Sequence, residues 1–219
     1  MTSTAPRHHP PEDFLLAHAA GQLDAGRRVM IEGHLAFCPS CRESFAQLIA
    51  PGRRWLEEQA VVAPKPSLWE EIEARLDRQA EEDPLAGLGA ELPLPVAARL
   101  EIEAGGRAPR WRPLPLSPAR FAVLSTDHRA EAALVIARIP GGRRFPRHLH
   151  LGWEDVLVLR GAFRDPAGHF QPGDYQLNAP GTEHEPQVDA GDQCWIVARY
   201  EKGIRFRGLR GLIQRLTAR

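Results

Sequence analysis

Cysteine is scarce in this chain, with three in 219 residues, and methionine and tyrosine are scarcer still at two each. Three cysteines cannot build a disulfide framework. Two of them stand as Cys38-Pro-Ser-Cys41, a pair that in a reducing compartment binds metal or does redox chemistry. Net charge is also lacking, since 28 Lys and Arg balance 28 Asp and Glu; with 43% apolar residues this describes a folded protein and excludes disorder. No stretch approaches the roughly 18 unbroken apolar residues of a membrane helix. Met1 to Gly21 has neither the basic start nor the apolar core of an export signal. The expectation is a cytoplasmic protein with no membrane partner.

The missing net charge hides an uneven distribution. Residues 1–82 carry 9 Lys and Arg against 13 Asp and Glu, and residues 83–219 carry 19 against 15. Between the halves, Glu81-Glu82-Asp83-Pro84-Leu85-Ala86-Gly87-Leu88-Gly89 joins an acidic run to Pro and two Gly that sustain no helix, so a linker is expected at about 83–92.

Upstream the pattern is helical. Pro10-Pro11 leads into Glu12 to Ala20, Asp24 caps a second helix reaching Leu35, and Pro39 suits the first turn of a third. Ser67-Leu68-Trp69-Glu70 reads as a capping box opening a fourth. Leu68, Ile72 and Leu76 then recur at four-residue spacing beside Trp69, a narrow apolar stripe on a charged helix that can pack on its own domain or on a partner. Downstream the pattern changes to short runs rich in Val, Ile and aromatics: Ala133 to Ile139, Asp155 to Leu159, Gly173 to Leu177 and Cys194 to Tyr200. Pro and Gly punctuate them and nothing between is long enough for a parallel crossover, so an antiparallel barrel or sandwich is expected.

Two constellations carry chemistry. The first is His34-x3-Cys38-x2-Cys41, whose ligands converge on one helix face or at a helix-to-helix corner. Imidazole and thiolate are zinc's preferred ligands, and a structural zinc needs a fourth. His9 is the best candidate, because it immediately precedes the first helix; His8 competes, and His18 lies mid-helix. The second is Gly142-x5-His148-x-His150-x3-Glu154-x6-Gly161, with His184 brought from a neighbouring strand. Alternate strand residues share a face, so these side chains can meet inside a barrel. Three imidazoles and one carboxylate suit zinc or another divalent transition metal and normally leave coordination positions open. His128 and His169 stand alone and read as loop residues, and Cys194 reads as a buried core residue.

These residues carry a resemblance. Residues 142–161 match the first cupin motif at every fixed position, and Gly173, Gly181 and His184 keep the spacing of the second; Pro180 is displaced by one, and Val188 stands where asparagine is common. Residues 9–41 resemble the zinc-binding anti-sigma domain. Joined in this order, they resemble the ChrR-type anti-sigma factors, in which a zinc-binding anti-sigma domain precedes a C-terminal cupin. The resemblance implies a multidomain α + β chain: a helical zinc-binding domain at 1–82, a linker at 83–92 and an antiparallel cupin domain at 93–219. It also implies His9 rather than His8 as the remaining zinc ligand. The partner it implies is an extracytoplasmic-function-type sigma factor, held inactive by the helical domain and released by an oxidative signal, with the cupin half required for the response; the expectation is release on singlet oxygen or peroxide stress with the cupin domain as a metal-dependent sensor.

The acidic helical half suits a partner whose DNA-binding surfaces are basic, with Leu68, Trp69, Ile72 and Leu76 available as contacts. The chain is therefore read as a non-enzyme. The alternative is a cupin dioxygenase or isomerase, which has no evident need of the first 82 residues. The basic run from Lys202 to Arg219 lacks interleaved aromatics beyond Phe206, so no direct nucleic-acid partner is expected; Leu209, Leu212, Ile213 and Leu216 there read as the anchor of a closing helix.

Overall fold

The structure, a computed structural model, describes residues 5–79, 109–191 and 193–208, with Val96, Leu100, Gly105 and Gly211, and of residues 75–79 the backbone alone. The linker expected at 83–92 and the residues expected to anchor a closing helix, Leu209, Leu212, Ile213 and Leu216, lie outside the described residues. So do the domain boundaries at 82 and 93.

The N-terminal part forms four helices: α1 (Glu12–Ala19), α2 (Ala25–Phe37), α3 (Pro39–Glu57) and α4 (Leu68–Gln79). Asp24 caps α2 by accepting from the Arg27 amide at 2.9 Å. Cys38 caps α3, with the Cys41 amide directed at its sulfur and Pro39 at the first position. At α4 the cap differs from the expected box, because the Ser67 hydroxyl donates to the Glu71 carboxylate at 2.9 Å rather than pairing with Glu70. Residue i+4 lies under the hydroxyl once the helix has turned, and it offers a charged acceptor.

The C-terminal part is antiparallel throughout. One sheet orders β1 (Arg112–Pro113), β2 (Arg120–Asp127), β3 (Ala132–Ile139), β11 (Cys194–Glu201), β5 (Glu154–Arg160) and β8 (Tyr175–Asn178) side by side. Two smaller sheets oppose it: β10 (Gln187–Val188), β6 (Phe163–Asp165) and β7 (Gly168–Phe170); and β12 (Ile204–Phe206), β4 (His148–His150) and β9 (Glu183–His184). His169 does not stand alone as expected: it lies on β7, and its Nε2 is 2.9 Å from an Asp189 carboxylate oxygen. Cys194 is buried in the barrel core, and burial pushes its thiol up to about 12.

The large sheet is buried on both faces. Along β5, Val156 and Val158 enter the barrel core, while Leu157 and Leu159 join a second core with Leu15, Val29, Met30 and Ile31 of α1 and α2. Met30 and Ile31 are fully buried there. Gly33 lets α2 approach the sheet, since a Cβ at that position would stand 2.5 Å from Leu157. The helices thus have no separate core. They use the outer face of the barrel sheet as the surface that covers their apolar stripe.

A buried ionic cluster ties the two parts together. Arg199 of β11, 2% exposed, reaches Asp24 at 2.9 Å, Glu201 at 3.0 Å and Asp155 at 3.3 Å. Arg27 of α2 reaches the same Asp155 at 3.1 Å, and the Tyr175 hydroxyl donates to it as well. Each buried charge is answered by an opposite one, the condition under which burial is tolerated.

Candidate metal centres

At the first centre α2 ends and α3 begins at Cys38, so one helix delivers His34 and the next delivers Cys41 to the same corner. His9, just ahead of α1, completes the group: ligand atoms of His9, His34, Cys38 and Cys41 all lie within 4.8 Å of one another. His9 Nδ1 stands 3.3 Å from Cys41 Sγ, 3.5 Å from Cys38 Sγ and 3.4 Å from His34 Nε2. A tetrahedral zinc with bonds of about 2.0–2.3 Å spaces its ligand atoms about 3.3–3.8 Å apart, so this quartet fits.

His34 Nδ1 donates to the Gly173 carbonyl at 2.7 Å, which leaves Nε2 as a lone pair facing the cluster. Burial holds His34 down at about 4, and so neutral, as a ligand must be. Burial and the neighbouring Cys38 push the Cys41 thiol up to about 12; a cation reverses that preference. His8 is not part of the centre. Its ring lies 4.3 Å from that of Phe170 and its carbonyl accepts from the Tyr175 amide. His18 stacks on Phe45 at 4.8 Å.

At the second centre β4 presents His148 and His150 on one face, Glu154 opens β5, and His184 of β9 pairs directly across from His148. Their ligand atoms also lie within 4.8 Å of one another. Each imidazole is oriented from behind. His148 Nδ1 donates to the Pro146 carbonyl at 2.8 Å, His150 Nδ1 to the Thr182 hydroxyl oxygen at 2.9 Å, and His184 Nδ1 to Asp165 at 2.7 Å. The Thr182 hydroxyl spends its own proton on the Ala179 carbonyl at 2.6 Å, so toward His150 it can only accept.

All three Nε2 atoms are therefore bare, and they face other acceptors: His148 Nε2 and His184 Nε2 are 3.1 Å apart, and His150 Nε2 is 2.9 Å from Glu154 Oε2. His150 Nε2 is buried without a hydrogen bond. Lone pairs gathered in this way repel unless a cation sits among them, so this donor set also fits a divalent metal. Burial lowers His148 to about 4.

Behind the ligands is a layer that the residue patterns did not single out. Asn178 donates to Glu154 at 3.0 Å, and Gln176 donates to the same Asp165 oxygen as His184, at 2.7 Å. Asp165 opens the turn Asp165-Pro166-Ala167-Gly168, so in the sequence it reads as a turn residue. A barrel cavity of about 420 Å³ adjoins the centre, and His148, Glu154 and His184 are among the residues that line it.

Residues 106–202 match the family described as "ChrR Cupin-like domain", and residues 12–42 match the family described as "Putative zinc-finger". The anti-sigma-E factor ChrR of Cereibacter sphaeroides (strain ATCC 17023) is 36% identical over 205 residues, covering 91% of this chain and 92% of that protein. The chain belongs to the ChrR family of anti-sigma factors. A crystal structure of Rhodobacter sphaeroides SigE in complex with the anti-sigma ChrR contains a chain similar at 33% identity, covering 90% of this chain and 100% of that one, with a TM-score of 0.63. The matched ranges include His34, Cys38 and Cys41 of the first centre and all four residues of the second. Among the described residues no helix is long and apolar enough to cross a membrane.

Proposed function

We propose that this chain is a cytoplasmic anti-sigma factor. Its helical part holds an extracytoplasmic-function-type sigma factor inactive, and its barrel senses singlet oxygen or peroxide and lets the factor go. The observation that carries the reading is the similarity, over 90% of this chain and 100% of the other, to the ChrR whose solved structure is a complex with SigE.

The helices support it. α3 buries only Cys41 along its whole length, although it carries Leu48, Trp55 and Leu56, which are all exposed. Trp69 is 65% exposed, and Leu68 and Ile72 are exposed beside it. The side chain of Leu76 lies outside the described residues. An acidic helical surface with exposed Trp and Leu suits a partner with basic surfaces and apolar grooves. We assign the residues of the first centre, His9, His34, Cys38 and Cys41, to a zinc that holds the α2–α3 corner. Those of the second, His148, His150, Glu154 and His184, we assign to zinc or another divalent transition metal, which supplies a ligand sphere able to exchange.

One strand supports communication between the centres. Ahead of β8, the Gly173 carbonyl accepts from His34 and the Asp174 carboxylate accepts from the Arg7 and His8 amides at 2.6 and 2.9 Å. Further along, Gln176 and Asn178 hold Asp165 and Glu154 behind the second centre. A change in how the second centre is held is passed along β8 to Gly173 and Asp174 just ahead of it, which carry the contacts that position His34 and the N-terminal segment.

The test is co-expression with extracytoplasmic-function-type sigma factors of the same organism, followed by co-purification and metal analysis. The expected result is a stable complex with two metal equivalents per chain. A chain that carries both metals and ignores the sigma factor would refute the reading. The apolar cavity beside the second centre favours one other reading, a cupin dioxygenase or isomerase, for which steady turnover of a small substrate would be the sign.

A further inference from the structure

The four candidate ligands of the first centre are not held alike. His34, Cys38 and Cys41 are buried in α2, α3 and the corner between them, whereas His9 is exposed and belongs to no helix or strand. A ligand on an irregular segment keeps its place only if that segment is tied down. Here the ties come from the barrel.

Asp174, 2% exposed just ahead of β8, receives the segment. One of its carboxylate oxygens accepts from the Arg7 and His8 amides at 2.6 and 2.9 Å, and the other accepts from the Gln171 amide at 2.7 Å. Such charge-assisted bonds are the stronger kind. The Tyr175 amide donates to the His8 carbonyl at 3.0 Å, and the His8 ring lies on Phe170. Pro6 is seated so close to Gly173 that a Cβ on the glycine would stand 2.7 Å from Pro6 Cγ. The receiving loop is itself fixed to β5, since the Gly173 amide donates to the Val158 carbonyl at 2.8 Å and the Val158 amide to the Asp174 carbonyl at 3.1 Å. Pro6, Arg7 and His8 thus all meet the barrel, and His9 follows them directly.

We infer that Asp174, a residue of the barrel, is a positioning residue for the zinc of the helical part. It acts through the backbone of Arg7 and His8, which sets His9 within reach of His34, Cys38 and Cys41, so the fourth ligand arrives already ordered. By linkage, metal at the first centre strengthens in turn the hold of the N-terminal segment on the barrel. The inference rests on the assignment of zinc to that centre, and adds that the barrel sets part of its affinity.

The test uses the full-length chain, titrated with cobalt(II) against a chelator. Cobalt bound to thiolate has its own near-ultraviolet absorption, and Cys38 and Cys41 are the thiols among the candidate ligands, so that band reads the first centre even when the second is loaded. Asp174→Ala should weaken binding at that band by about tenfold, the loss typical of a group that orients a ligand from behind. The same substitution placed on His9→Ala should cost less than about twofold, because the residue through which Asp174 acts is already gone. Asp174→Asn keeps an acceptor oxygen for the two amides and should recover most of the affinity. His9→Ala, which cuts the segment from the metal, should speed amide exchange at Arg7 and His8 by about tenfold, a measurement that stands even if Asp174→Ala does not fold.

An unchanged affinity in Asp174→Ala, an equal loss with and without His9, or exchange at Arg7 and His8 indifferent to His9→Ala would overturn the inference and spare the zinc. A thiolate band that never forms in the unchanged chain would sink the zinc assignment and this inference with it.

Discussion

Around His34 the protein gathers two imidazoles and two thiols at a corner between helices; around His148 it gathers three imidazoles and a carboxylate at the edge of an apolar cavity. Two thiols complete a tetrahedral set and leave no position for exchange, the arrangement of a structural zinc. Imidazole and carboxylate beside open volume leave room for a further ligand. One chain thus assigns rigidity to the first centre and responsiveness to the second, and β8 touches the supports of both.

The most damaging way to break this comparison is at the first centre. Cys38→Ala or His34→Ala should remove its metal and abolish sigma binding together, because structural zinc sites contribute on the order of 10 kcal/mol to folding. Metal analysis beside a pull-down checks this, and full binding by a metal-free mutant would dissolve the contrast.

The ionic cluster between the halves comes next. Asp155→Ala removes the carboxylate that Arg27, Arg199 and Tyr175 share, and loss of one partner from a buried cluster costs about 3–5 kcal/mol. Denaturant unfolding should report that loss, and a change below about 1 kcal/mol would separate the helices from the barrel energetically.

Proton linkage sharpens the comparison further. In the metal-free chain burial holds His34 and His148 near 4, against 6.5 unfolded. Between those values the unfolded chain binds more protons. Stability is therefore full above about 6.5 and falls as pH drops toward 4, by about 3 kcal/mol per histidine. Unfolding of the chelated chain across that range tests both centres at once; a flat profile would contradict the burial of both imidazoles.

The smallest effect belongs behind the second centre. Asp165→Asn weakens the orientation of His184 and should lower metal affinity at the barrel by about 10–100-fold, with the first centre unchanged. Competition with a chelator measures it, and equal loss at both centres would mean that they are not separate.

Much of this was legible in the sequence because ligand chemistry has a spacing. His34, Cys38 and Cys41 sit one helical turn apart, and His148 and His150 sit one strand period apart, so each group announces itself along the chain. The supports were not legible. Asp165, Gln176 and Asn178 reach the barrel centre only through strand pairing, and no local pattern marks them.

The docking of the helices on the sheet left a fainter trace. The run Val156-Leu157-Val158-Leu159 is continuously apolar where a one-sided strand would alternate, and this is the mark of a strand covered on both faces. Reading the two halves as separate domains joined by a linker passes over that signal. In the structure the helical part and the barrel share one core.

The central claim, that the barrel centre governs release and not binding, is tested most directly with His148→Ala. The full-length variant and the unchanged chain are each bound to the sigma factor, then exposed to singlet oxygen or an organic peroxide while dissociation is followed. The account predicts that both chains bind equally well before exposure and that only the unchanged chain lets go. Normal release by the variant, or its failure to bind in the first place, would contradict it.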